Sequence, residues 1–340
     1  VRILALTVTD RNFFAGTVAA VNSLLHYAQN WPKNWTLAVR VVTYGTLPPE
    51  QIAAFEVAQN FGVKLLPQQL FSKPERLLGA WQLKSYAAAD LITDCDCLIG
   101  FDSDLVFCSD VADVLKQAIE DGNFYGGADY ADASNPGITY PASYAVYGIT
   151  PGLVAPYMST SCYFCAARPN NVQILQDCAV KTNKAAYGPQ AEKIYPGHGD
   201  QGVLNAVIAA ATGGKNVKLL PNRLWSQHGP AHVDRIEFDD NRLVNVSAGG
   251  VAMRTLHACG SIKFWTPRYS AEKLGALKRW PYAQFLRFLY FGAVPCISAA
   301  RFKHLPRAAA ALYPAITELD PTIKEKELPK PLQLAMIAKP

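Results

Sequence analysis

The sequence predicts an α/β protein, a mostly parallel sheet held between helices, and three observations carry that prediction. Apolar runs of strand length alternate along the first part of the chain with longer stretches whose apolar residues recur at helical spacing. Acidic residues follow two of those runs, at Asp10 and Asp102, where open α/β sheets gather their functional groups. The composition is that of a folded chain: of 340 residues half are apolar and 17% charged, enough to bury one large core or two small ones.

In order, residues 2–8 read as a buried opening strand, ended by Asp10, Arg11 and Asn12, and a helix follows over 15–27. Residues 37–43 form a second strand, closed by Tyr44 and Gly45. Pro48 and Pro49 open a helix running to about residue 60, since proline is tolerated in a first helical turn. Residues 63–66 are a third strand, 77–89 a helix, 97–101 the strand that delivers Asp102 and Asp104, and 110–117 a helix. The Gly-, Ala-, Tyr- and Pro-rich stretch 122–156 predicts long loops and short irregular strands covering a site. Residues 157–166 are strand-like and 170–181 helical, and Asp200 stands near the start of a helix over 202–211. Residues 238–243 predict a hairpin turn, and 282–291 an aromatic helix. One main domain over 1–265 with an aromatic, basic extension over 266–340 fits this order better than two independent domains.

The net charge of +5 is unevenly spread: residues 263–340 carry +8 and the rest −3, which suits the C-terminal part to phosphates or an anionic surface. No long Lys/Arg cluster or nucleic-acid motif is present, so nucleic acid is not an expected partner. Residues 279–291 mix cations with aromatic side chains, which gives two readings: peripheral membrane contact, or packing against the main domain. Five of the eight cysteines lie in apolar stretches and read as small core residues. Cys162 and Cys165 have zinc-ligand spacing, but no second pair answers them. With no secretory leader or disulfide-dense pattern the expected location is the cytoplasm, with peripheral contact at the inner face of the membrane.

The segment Phe101-Asp102-Ser103-Asp104-Leu105 places two carboxylates one residue apart at the end of an apolar run, poor core packing but good hard-cation ligation. Its bland reading is strand termination with local turn capping. Asp94-x-Asp96 is a competing pair, but it precedes the apolar strand and reads as solvent-facing. Far downstream His257 offers a third ligand and Lys263 a cation. Asp10 and Asn12 also read as an Asx turn and helix cap. His198, His228 and His232 form no closed ligand set, and Trp225 and Trp265 read as groove-lining or core residues.

Taken in sequence, these residues resemble the retaining glycosyltransferases of family 8. The family's Asp-x-Asn-aromatic after the first strand is matched by Asp10-Arg11-Asn12-Phe13, and its Asp-x-Asp by Asp102-Ser103-Asp104. Its Asp-Gln before a helix is matched by Asp200-Gln201. Its His-x-x-Gly-x-x-Lys-Pro-Trp is matched by His257, Gly260, Lys263 and Trp265, with Phe264 in the proline's place. The match spans roughly residues 1–265. The resemblance implies a GT-A nucleotide-diphospho-sugar transferase fold, a UDP-linked sugar donor, and Mn²⁺ or Mg²⁺ held by Asp102, Asp104 and His257. It implies donor contacts from Thr9, Asp10, Asn12, Phe13, Asp102, Ser103, Ser159, Asp200, Gly260 and Lys263, with Phe13 or Phe14 facing the base. Asp200 and Gln201 would lie near the reacting sugar, and Lys263 would stabilise the leaving diphosphate. The implied reaction moves a hexosyl unit, with retention, to a glycan, glycolipid or other hydroxyl acceptor, as in polysaccharide or lipopolysaccharide biosynthesis.

Two positions depart from the pattern. Where the family directs a cation at the donor this chain places Gln82, while Lys84, two residues along the helix, is expected to point elsewhere. The family's Phe-Asn-Ala-Gly becomes Met158-Ser159-Thr160-Ser161, and serine reaches less far than asparagine. These departures favour one alternative, a noncatalytic nucleotide-sugar or carbohydrate-binding homologue. The other alternative, a nucleotidyltransferase, calls for a Gly-rich, basic loop after the first strand, which this sequence lacks.

Overall fold

The computed structural model describes residues 1–59, 62–71, 79–129, 138–140, 142–187, 199–221, 224–226, 235–238, 244–248 and 251–257. The first part of the chain runs β1 (Arg2–Thr9), α1 (Phe14–Ala28), β2 (Thr36–Thr43), α2 (Pro49–Ala58), β3 (Val63–Pro67), α3 (Ala80–Leu91) and β4 (Cys97–Phe101). It continues with β5 (Leu105–Phe107), α4 (Ala112–Asp121), β6 (Phe124–Ala128), the short β7 (Ile138–Thr139) and β8 (Val154–Ala155), and β9 (Met158–Ala166). Then come α5 (Pro169–Tyr187), α6 (Gly199–Thr212), β10 (Val217–Leu220), β11 (Trp225–Ser226), β12 (Arg235–Phe238), β13 (Val244–Ala248), β14 (Val251–Ala252) and β15 (Thr255–His257).

Seven strands form the central sheet in the order β10-β6-β9-β4-β1-β2-β3. Strand β9 is antiparallel to both β4 and β6, and the other neighbouring pairs are parallel. The reason residues 3–6 of β1 are all apolar is visible in its packing. Ile3 and Ala5 join one core, with Val18, Val21 and Leu24 of α1, Phe55 of α2 and Leu115 of α4. Leu4, Leu6 and Val8 join the other, with Leu83 of α3, Ile174 of α5 and Val207 of α6. A strand covered on both faces has no polar side to show. The result is three layers, helix–sheet–helix.

The same alternation settles the cysteine pair. Three residues apart on β9, Cys162 and Cys165 face opposite sides of the sheet, one in each core, and so do not share a ligand. Burial pushes both thiols far above the ordinary range.

One stretch differs from its expected form. Residues 122–156 do contain irregular structure, but Phe124–Ala128 is an interior strand of the main sheet. Its glycines give no strand signal, yet each admits a neighbour: a Cβ on Gly126 would lie 3.1 Å from Met158, and one on Gly127 would lie 2.9 Å from the Trp225 side chain. Trp225 is accordingly core, packed edge-on against Phe164 at 5.4 Å. Strands β12 and β13 pair antiparallel with Phe238 opposite Val244, as a hairpin requires. The helix expected over 282–291, the membrane reading of 279–291, and His198, His228, His232 and Trp265 lie outside the described residues. Among the described residues no helix is long and apolar enough to cross a membrane.

Candidate active site

Two adjacent parallel strands, β1 and β4, end at the same edge of the sheet, and each is followed by an acidic residue. After β1 the Asp10 carboxylate accepts hydrogen bonds from the backbone N–H groups of Asn12 (2.7 Å) and Phe13 (2.8 Å), an Asx turn that sets the entry to α1. After β4 the chain makes a tight turn through Asp102, Ser103 and Asp104 into β5. The Asp102 N–H donates to the Ser161 carbonyl of β9 at 2.8 Å, so the turn is anchored to the sheet.

The third corner comes from the far end of the described chain. Strand β15 pairs antiparallel with β5 in a separate ribbon, with His257 opposite Leu105. That register sets the imidazole beside the residue preceding Leu105: His257 Nε2 lies 3.0 Å from Asp104 Oδ1 and 3.5 Å from Asp102 Oδ2. Ligand atoms of the three residues all fall within 4.8 Å of one another. Two carboxylates and an imidazole gathered this closely can hold a divalent metal ion.

The second carboxylate oxygen of Asp102 faces the other way, toward a cation the sequence reading set aside. Lys84 Nζ donates to Asp102 Oδ1 at 2.5 Å and to the Thr160 carbonyl at 3.0 Å, and it pairs with Asp200 Oδ2 at 3.0 Å. The expectation that Lys84 points away is therefore corrected. Helix α3 is wedged between the sheet, α5 and α6, and residues 82 through 89 are all buried, so no face of it is reserved for solvent. Gln82 is also buried but does not line the cavity described below. Burial opposes the Lys84 charge, but the carboxylates of Asp102 and Asp200 outweigh it and hold the ammonium above the usual lysine range. For Asp200 burial dominates and raises the pKa, the Asp102 charge adds to it, and Lys84 pulls the other way.

A cavity of about 260 Å³ opens at this edge, lined by Asp10, Phe13, Asp102, Ser103, Asp104 and Asp200 together with Val8, Ala80, Trp81, Lys84 and Phe101. Of the two phenylalanines, Phe13 faces this space, while Phe14 is buried edge-on against Phe55 at 5.6 Å. Asn12 is exposed and does not line the cavity. Thr9 is buried, and its hydroxyl accepts from Thr17 at 2.7 Å. Ser159 is buried with its hydroxyl 2.7 Å from that of Ser161. Gln201, next to Asp200 in the first turn of α6, accepts from the Thr160 N–H at 3.1 Å and donates to Asp129. Asp129, at the end of β6, is 2% exposed and was missed by sequence reasoning because it follows a strand that was itself missed. Trp81 was also missed; its helix was read, but nothing in the sequence marks which of its residues meets the sheet edge. Gly260 and Lys263 lie outside the described residues.

No protein-family model and no curated protein matches this chain. Solved structures do. A structure of WbbM, described as a bifunctional glycosyltransferase, superposes with a TM-score of 0.51 at 12% identity over 88% of this chain, which spans 51% of that protein. An active-site mutant of LgtC superposes with a TM-score of 0.52 at 14% identity, over 86% of this chain and 96% of that one. At such identities the likeness speaks to fold: the chain has the GT-A nucleotide-sugar transferase fold, with its mixed, mostly parallel central sheet.

Proposed function

We propose that this protein is a metal-dependent glycosyltransferase of the retaining family 8 type, transferring a hexosyl unit from a UDP-sugar to a hydroxyl acceptor on a glycan or glycolipid. One observation carries the reading: Asp102, Asp104 and His257, separated by up to 155 positions in sequence, converge where the two aspartates line a cavity beside a buried Lys84–Asp200 ion pair. Asp102, Asp104 and His257 would hold Mn²⁺ or Mg²⁺. When bound, the ion supplies positive charge that stabilises the departing diphosphate.

The remaining roles belong to side chains. Phe13 offers a ring face to the base, beside Asp10, whose own carboxylate is fixed by backbone donors. Ser103, buried between the two ligand aspartates, lines the same wall. Asp200 lines the same cavity and is the carboxylate assigned to the donor-sugar hydroxyls. Gln201 follows Asp200 in the first turn of α6, and its hydrogen bond to Asp129 fixes its amide. Gly260 and Lys263 complete the diphosphate contacts in this reading. A noncatalytic nucleotide-sugar binder is the second reading, favoured by the Ser159 hydroxyl being engaged with Ser161 rather than lining the cavity.

The test is a panel of nucleotide sugars with Mn²⁺, read first as binding and donor hydrolysis and then with hydroxyl acceptors. Asp102→Asn and Asp104→Asn should each keep the fold and lose at least about 100-fold in turnover, the scale of a removed charge-stabilising group. Turnover that survives rigorous chelation would overturn the metal-dependent reading, and binding without turnover of any donor would leave the noncatalytic one.

A further inference from the structure

The metal-ligand cluster carries its own cation. Asp102, Asp104 and Asp200 bring three carboxylates into one partly buried corner, and an assembly of that kind repels itself unless a positive charge is present. Among the described residues Lys84 meets that need with a complete set of contacts. An ammonium has three hydrogens, and Lys84 directs its donors to Asp102 Oδ1, Asp200 Oδ2 and the Thr160 carbonyl, all within 3.0 Å. Its side chain is 5% exposed, so water does little to screen it. The contacts also divide Asp102 in two: Oδ1 is turned to Lys84, and Oδ2 is turned to His257.

We propose that Lys84 is the built-in counter-cation of the metal site, a positioning residue that lets the carboxylate cluster fold before metal arrives and keeps the bare site's metal affinity low. The proposal rests on the reading of Asp102, Asp104 and His257 as metal ligands. Two consequences follow from the geometry. With Oδ1 held by the ammonium, Asp102 would leave Oδ2 to a metal. An incoming divalent ion meets a fixed positive charge on the same carboxylate and shares that anion with it, so it binds more weakly than three acidic groups alone would allow. Lys84 also links the metal ligand on the β4 edge to Asp200 at the start of α6, so the two carboxylates keep one relative position with or without the ion.

The experiment measures Mn²⁺ binding to the full chain without nucleotide, from the loss of the free-ion EPR signal, for wild type, Lys84→Met, Lys84→Gln and Lys84→Arg, with Asp104→Asn marking the site. The neutral variants are expected to bind Mn²⁺ at least about tenfold more tightly than wild type, a gap of about 1.4 kcal/mol. Lys84→Arg should bind as wild type does. Without metal the neutral variants should melt below wild type, and Mn²⁺ should raise their Tm by more than it raises that of wild type. Should Lys84→Met fail to fold, Lys84→Gln takes its place, since its amide is neutral and retains two donors. A purely structural lysine gives the opposite sign: neutral variants that bind Mn²⁺ with wild-type or weaker affinity overturn the counter-cation while the metal site stands. Absence of Mn²⁺ binding in every one of these proteins overturns the metal reading itself, and the counter-cation with it.

Discussion

Asn205 shows how one buried side chain holds the backbone next to Gln201. Its amide accepts from the Met158 N–H at 2.8 Å and donates to the Met158 carbonyl at 2.8 Å and the Gln201 carbonyl at 2.9 Å. It thereby ties the first residue of β9 to the second turn of α6, next to the Gln201–Asp129 contact. Leucine at this position fills the space but leaves the Met158 amide without these partners in a dry interior. Asn205→Leu should therefore cost about 3 kcal/mol, measured by urea denaturation, since each orphaned group loses its share of desolvation. An unchanged midpoint would mean that the strand's first residue finds other partners. At this scale Asp10, Asp102 and Asp104 were legible because acidic residues at strand ends are locally unusual, whereas Phe13, Ser103 and Asp200 entered through the family resemblance. Lys84 was not, because a lysine in a helix is ordinary until its neighbours in space are known.

Between elements, the packing of β4 against β9 depends on an absent side chain. Gly100 lies directly opposite Tyr163, and a Cβ there would stand 2.2 Å from the tyrosine ring. Tyr163 is 2% exposed and cannot swing to solvent, so Gly100→Ala forces strain into the strand that carries Asp102. The expected cost is about 1–3 kcal/mol. Combined with Tyr163→Leu, which opens the space, it should cost less than the sum of the two single changes by about 1 kcal/mol. Strict additivity in equilibrium unfolding would count against the contact. The β5–β15 ribbon makes a related point. Its strands have three residues each, too short for a periodic signal, yet their register alone decides that His257 meets Asp104. A one-residue slip would turn the imidazole to the other face.

Across the whole molecule, the two-sided burial of the sheet removes its thiols from chemistry. Six of the eight cysteines are described, and all six are buried and reduced. Burial is the main cause that raises each one, with Cys95 and Cys178 pushed up to about 12. A thiol in that range holds its proton through neutral and mildly alkaline pH, so little thiolate forms until pH approaches 12. In the native protein a thiol reagent at pH 8 should therefore label at most Cys259 and Cys296, and the other six should react only on unfolding. Rapid native labelling of three or more would contradict the two-core architecture.

The sequence by itself determined the layered α/β plan, most element positions, and the acidic strand ends, because burial on both faces and strand-terminal carboxylates leave local marks. Only the tertiary structure decided that Phe124–Ala128 lies inside the sheet, that Lys84 rather than Gln82 enters the site, and which carboxylate oxygen faces which cation. Those outcomes depend on pairing partners and on what covers a helix, and interactions between residues far apart in the chain leave no periodic trace in it.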